Sequence, residues 1–156
     1  MVTMIVQDDR EKKGYHNSIE DYCKKNNIPL YRKRLLVGDY MLCTISNGQV
    51  LPIGNTSIDC KGGGILELIC DLYTDKKALN KKYRKCYEQG IHLIVLVEEE
   101  IKSLQELVSW RSKYTKLTGR ELLDMIDTLK VSYGVDFHFC KKENIGEILV
   151  QLLSRN

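Results

Sequence analysis

In the stretch SIDCKGGG (57–64), Asp59 and Lys61 place a carboxylate and an ammonium group one residue apart on a segment that reads as a strand. Residues two apart on a strand share a face, so these two point the same way and Cys60 points the other. Gly62–Gly64 follow directly. Earlier in the chain Asp39 follows Gly38 in VGDY (37–40), and QDDRE (7–11) supplies Asp8, Arg10 and Glu11. Phosphodiester hydrolysis needs an activated water and a sink for charge on the phosphate. Carboxylates hold Mg²⁺, which prefers oxygen ligands and keeps several waters. Such an ion lowers the pKa of a bound water and polarises a phosphoryl oxygen. A lysine beside it can orient or help deprotonate that water and stabilise the anion. Three glycines would let a phosphate backbone approach closely and would turn the strand sharply into a helix. Each piece also has a plainer role: an ion pair on a strand, a turn aspartate, a flexible loop. Their order joins them, because all three acidic points fall at predicted strand ends and a basic helix follows.

Those ends belong to a mixed α/β pattern. TMIVQ (3–7) reads as a buried strand. Residues 16–27 carry Ile19, Tyr22 and Cys23 at helical spacing, with Ser18 a candidate N-cap. PLYRKRLL (29–36) and DYMLCTIS (39–46) read as strands, and Asn47-Gly48 predicts a hairpin. QVLPIG and TSIDCK read as two further strands, with Pro52 marking an edge or a break. From Ile65 the period becomes helical through Leu68, Ile69 and Leu72. A second helix, capped by Asp75, turns Leu79, Tyr83, Cys86 and Tyr87 inward and stops at Gly90. IHLIVLV (91–97) is a continuous apolar run, the mark of a strand buried on both faces. Ser103 with Glu106, and Thr118 with Glu121, form capping-box patterns. The second opens a helix with Leu122, Ile126 and Leu129 inward, ended by Gly134; a strand at 135–139 and a helix at 144–153 close the chain. Trp110 is the expected anchor of 107–117.

With 156 residues, 43% hydrophobic and 29% charged, the chain fits one globular domain over 1–156. No apolar run approaches the roughly 20 residues that span a bilayer, and MVTMIVQDDR has no cleavage-site pattern. Six cysteines are scattered without a CxxC pair, so they are expected to be reduced and mostly buried in a cytoplasmic protein. A net charge of +3 permits nucleic-acid binding without requiring it, so distribution matters more. Lys76, Lys77, Lys81, Lys82, Arg84 and Lys85 lie on one helix, with Lys77, Lys81 and Lys85 stacked four apart. That face is either solvated or set against phosphates, and the latter is preferred because it follows the Asp59/Lys61 pair directly. Glu67 shares a helical face with Asp71, as a surface acid or an outer metal ligand. His16, His92 and His138 are far apart and form no Ser/His/Asp or Cys/His pattern, and KGGG is not a phosphate-binding P-loop.

In order, IVQDDREKKG, LLVGDYML, SIDCK with ICDL, and GIHLIVLVEE resemble the XPF-type nuclease branch of the PD-(D/E)xK superfamily over roughly residues 4–100. The remainder is similar to compact phage- or bacterium-borne members. The resemblance implies a restriction-endonuclease-like mixed central sheet flanked by helices. It also implies a Mg²⁺- or Mn²⁺-dependent DNA endonuclease acting on branched or flapped DNA, in repair or recombination. Position by position, Asp8 matches the first acid of the opening motif, with Arg10 and Glu11 completing it. Asp39 matches the metal-binding aspartate of Gly-Asp, Lys61 the signature lysine, and Asp59 stands where glutamate is usual. The implied roles are metal ligation by Asp39 and Asp59, with Asp8 and Glu11 at the rim, and catalysis by Lys61, Asp39 and Asp59. DNA contacts fall to Arg10, Lys77, Lys81, Lys82, Arg84 and Lys85. Cys60 replaces the usual arginine, and Asp71-Leu72 resembles an Asp-Leu pair at a longer spacing. The alternative is a catalytically inactive DNA-binding module of the same fold acting as a partner subunit. By analogy, residues 118–153 would carry any homodimer or partner face.

Overall fold

A computed structural model describes residues 2–11 and 16–155; Lys12, Lys13 and Gly14 of the opening motif lie outside them. Among the described residues, six strands form one sheet: β1 (Val2–Gln7), β2 (Leu30–Arg32), β3 (Tyr40–Ser46), β4 (Gln49–Lys61), β5 (His92–Glu98) and β6 (Asp136–Cys140). Their order is β2-β1-β3-β4-β5-β6. β1 with β3 and β3 with β4 are antiparallel, while β2 on β1 and β5 on both β4 and β6 are parallel. The α-helices described flank it: α1 (Asn17–Lys25), α2 (Gly64–Tyr73), α3 (Lys76–Glu88), α4 (Gly119–Tyr133) and α5 (Ile145–Ser154). The mixed central sheet flanked by helices is the predicted class.

Alternation along β4 and β5 feeds two cores. Ile58, Cys60, Ile94 and Leu96 pack with Ile19, Cys23, Ile145 and Leu149 of α1 and α5. On the other face Leu93, Val95 and Val97 pack with Leu68 and Leu72 of α2, Leu79 and Tyr83 of α3, and Leu122 and Ile126 of α4. Asp59 and Lys61, paired with Val95 and Val97, therefore sit on the α2/α3 face.

Several expectations need correction. The segment 29–36 is a strand only over Leu30–Arg32, because the Asp8 carboxylate takes the Leu35 amide at 2.8 Å and folds the chain inward. The two strands expected at 49–61 are one, with residues 53–56 bulged opposite Leu42. Pro52 pairs with Cys43 on β3, but pairing with β5 begins only at Thr56, so the missing N–H faces no neighbouring strand. Tyr87 is 64% exposed, since it lies about 100° round the helix from buried Cys86. His16, not Ser18, precedes α1. Asp75 precedes α3 without a side-chain cap. The Ser103 box is half made: Glu106 N–H reaches Ser103, while the Glu106 carboxylate turns to the Lys102 amide. The Thr118–Glu121 box is complete, and Trp110 packs, partly buried, on the α4 side. All six cysteines are free, Cys70 alone exposed.

Gly38 adopts φ +79°, and a Cβ there would stand 2.0 Å from Ser57 Oγ. Ser57 is fixed by its own bond to the Val37 carbonyl at 2.7 Å. Gly38→Ala is therefore expected to cost roughly 2–5 kcal/mol, from left-handed strain and overpacking together. Urea unfolding measures this directly, and a loss under about 1 kcal/mol would contradict it.

Candidate metal and nucleic-acid site

Register brings the acidic points together. Asp8 lies one residue past β1, Asp39 one residue before β3, and Asp59 near the end of β4. Gln7 pairs with Tyr40, and Tyr40 with Ile58, so all three lie at one end of the sheet. The main chain fixes Asp39 from both sides. Asp8 N–H donates to the Asp39 carbonyl at 2.7 Å, and Asp39 N–H to the Ile58 carbonyl at 2.8 Å. The Cys60 amide donates to Asp39 Oδ2 at 2.8 Å. Asp39 and Asp59 are both buried, and each bears on the ionisation of the other.

Two neighbouring buried carboxylates disfavour each other's ionisation. Burial first, and the charge of Asp59 second, raise the pKa of Asp39, so it holds a proton in the metal-free protein. Burial also opposes ionisation of Asp59, but Lys82 and Lys61 outweigh it and Asp59 remains charged. Lys82 Nζ stands 2.7 Å and Lys61 Nζ 3.4 Å from Asp59 Oδ2. Lys61 also pairs with Asp71 at 2.5 Å. Burial opposes its charge, yet Asp59 and Asp71 raise its pKa. Asp71 is thus the partner of the lysine on the site face.

Asp8 has a different neighbourhood. Its carboxylate accepts from Arg10 at 2.8 and 3.2 Å and from the Leu35 amide. Burial raises its pKa, but those bonds lower it overall. Arg10 also reaches the Leu35 carbonyl at 2.8 Å. Glu11 instead joins Asp39 and His16: one ligand atom from each lies within 4.8 Å of the others. Arg32 braces this corner, donating to the Glu11 carbonyl at 2.6 Å and to Gln7 Oε1 at 2.6 Å. Gln7 in turn donates to the Tyr40 hydroxyl at 2.7 Å. The Tyr40 ring packs edge-on to His16, 5.9 Å between centroids. Sequence reading missed His16; its only signal was a ring nitrogen at the helix start beside an acidic strand end.

A cavity of about 420 Å³ opens over Asp8, Arg10, Gly38 and Asp39, with Lys81, Lys82 and Lys85 along its far wall. Lys77 and Arg84 are exposed on the same helix but outside that lining. A cavity of about 490 Å³ between α2, α3 and α4 holds none of these groups. The glycine segment does turn the strand into α2, with Gly64 at φ +73°. The Gly63 N–H is engaged by Glu67 at 2.6 Å, and the next amide after the glycines, that of Ile65, by Glu99 at 3.2 Å. Glu67 is therefore a helix-start acid. Cys60 is buried in the α1/α5 core, so the residue replacing the usual arginine lies on the face away from Asp59 and Lys61. Among the described residues no helix is long and apolar enough to cross a membrane.

No curated protein sequence matches the chain. Among solved structures, XPF from Aeropyrum pernix superposes with a TM-score of 0.68 at 14% identity, covering 97% of this chain and 64% of that one. XPF from Aeropyrum pernix in complex with DNA superposes with a TM-score of 0.64 at 15% identity, covering 97% and 63%. The chain thus spans less than two thirds of those chains and shares the XPF nuclease fold. The family model for the ERCC4 domain matches residues 7–152, and with this sheet order and this convergence of acids, the chain belongs to the ERCC4 domain family.

Proposed function

We propose that this domain is a divalent-metal-dependent DNA endonuclease, with Asp39 and Asp59 as the ligands of Mg²⁺ or Mn²⁺ and Lys61 beside them. The observation that carries the reading is a pair of buried aspartates whose ionisation is coupled, Asp39 lining a lysine-walled cavity and Asp59 held by Lys61 and Lys82. The donor set fits a hard, oxygen-seeking ion. When bound, such an ion supplies an activated water and takes up phosphoryl charge. Lys61, held protonated by Asp59 and Asp71, orients that water and offers positive charge to the phosphate; it does not act as a base. Asp8 sets the Arg10 guanidinium at the rim, where it meets the DNA backbone. Lys82 balances Asp59 and, being partly exposed, reaches a phosphate as well. Branched or flapped DNA is the proposed substrate, with a second copy or a partner protein adding DNA specificity.

A second reading rests on one observation: two lysines already neutralise Asp59. In that case the domain binds DNA and cuts nothing. Calorimetric titration with Mn²⁺, alongside cleavage of a labelled flap and its matching duplex, separates the two. The nuclease reading expects metal binding, and cleavage that chelation abolishes. DNA binding without metal binding or cleavage would establish the module instead.

A further inference from the structure

We infer that Glu11, His16 and Asp39 form a second metal position of mixed nitrogen and oxygen chemistry, selective for a divalent transition ion over Mg²⁺. The inference deepens the reading above, from which it takes only that Asp39 is a ligand. Three observations carry it.

The first is convergence. One ligand atom from each residue lies within 4.8 Å of the other two, and His16 Nε2 stands 3.2 Å from Glu11 Oε2. Ligands held at roughly 2.0–2.2 Å from one ion are at most about 4.4 Å apart, so a small contraction suffices. The second is that the described cations nearby are engaged elsewhere. Among the described residues, Arg10 is committed to Asp8, Arg34 to Asp9, Lys82 to Asp59, and Lys61 to Asp59 and Asp71. None of them pairs with Glu11 or Asp39. Glu20 and Glu67 add negative potential at His16. The third is prior ordering. The imidazole is buried to 1% side-chain exposure and packed edge-on against Tyr40. Its residue's carbonyl accepts from Ile19 and Glu20 at the start of α1, while Arg32 pins the Glu11 main chain. A ligand fixed before binding loses little freedom on binding.

Imidazole decides the class of ion. Carboxylates suit Mg²⁺ and Mn²⁺ alike, but a ring nitrogen favours the first-row transition series and does little for Mg²⁺. The position therefore separates itself from the all-oxygen Asp39/Asp59 pair by what it selects.

The test uses the full chain with Mn²⁺ alone, then with Mn²⁺ in excess Mg²⁺, read by electron spin-echo modulation and by calorimetry. Nitrogen coupling of a directly bound imidazole is expected in the unaltered protein and absent in His16→Gln. That variant is expected to lose at least the roughly tenfold in Mn²⁺ affinity that removal of even an outer partner causes, with Mg²⁺ affinity almost unmoved. Bound Mn²⁺ without nitrogen coupling, coupling that persists in His16→Gln, or no bound Mn²⁺ overturns the inference. Should His16→Gln fail to fold, the spectrum of the unaltered chain decides alone, and Glu11→Gln is expected to keep the coupling while weakening Mn²⁺. DNA cleavage with Mg²⁺ but no nitrogen coupling sinks this position and spares the nuclease. Coupling with no cleavage under any ion spares the position and sinks the nuclease.

Discussion

Asp39→Asn is expected to leave the fold intact and to lower DNA nicking by a factor of roughly 10³ or more, since several kcal/mol of charge stabilisation depend on that ligand. Asn keeps an oxygen for the Cys60 amide, the bond now made at 2.8 Å, and its NH₂ replaces the acid O–H that faces Asp59. The metal-free protein already holds Asp39 neutral, so the substitution mimics the existing protonation state. The linkage has a definite sign. Folding raises the pKa of Asp39 above its ordinary 3.8, so above pH ~4 the unfolded chain releases a proton that the folded chain keeps. Stability from this group is present at low pH and falls as pH rises toward the raised value. Asp59, lowered to about 2, acts in the opposite sense, and only between about pH 2 and 4. Metal-free protein should therefore lose stability between about pH 5.5 and 7.5 relative to Asp39→Asn, as urea unfolding at both values would show. Lys61→Ala differs in kind. It opens a buried ion pair, at a cost of about 3 kcal/mol, the lower end of the usual range because Lys82 still holds Asp59. It also lowers nicking by roughly 10²–10³. Nicking by Asp39→Asn within about tenfold of the unaltered protein would end the metal-ligand assignment.

Replacing Lys77, Lys81 and Lys85 together by Gln is expected to weaken DNA binding by roughly one to two decades at moderate salt. The slope of log K against log salt should become shallower by about 0.9 for each phosphate that no longer meets a lysine, approaching about 2.7 for all three. The weakening should be nearly the same for every DNA sequence, because phosphate-bound lysines position the duplex without reading it. Fluorescence anisotropy across a salt series gives both quantities. An unchanged slope would make this face a solvated helix surface. Lys81 and Lys85 line the cavity and Lys77 does not, so a Lys81/Lys85 double variant should carry most of the effect.

Local patterns were the legible part of the fold. Alternation placed Asp59 and Lys61 on one face of β4 and Cys60 on the other, and i, i+4, i+7 spacing marked Leu79, Tyr83 and Cys86 as the buried stripe of α3. The same spacing overreached by one residue at Tyr87. β2 was read too long because its end is set by a side chain 27 residues away, the Asp8 carboxylate on the Leu35 amide. The acids of the site were legible because residue type and strand-end position travel together. His16 was not, because neither strand nor helix period links it to its partner Glu11. Nor was the attachment of Lys82 to Asp59, a bond over 23 residues that only the packing of α3 on the sheet creates.

The way Asp39 is anchored has a wider consequence. Its amide, its carbonyl and one carboxyl oxygen are all held by peptide groups of β4 and of Asp8 just past β1. Peptide groups are the same whatever side chains evolution or an engineer installs. Lys81 and Lys85 on the cavity wall can therefore be exchanged, retargeting the surface to other polyanions, while the central carboxylate keeps its aim. This end of the sheet works as a chassis, and the outer lysines around it are replaceable.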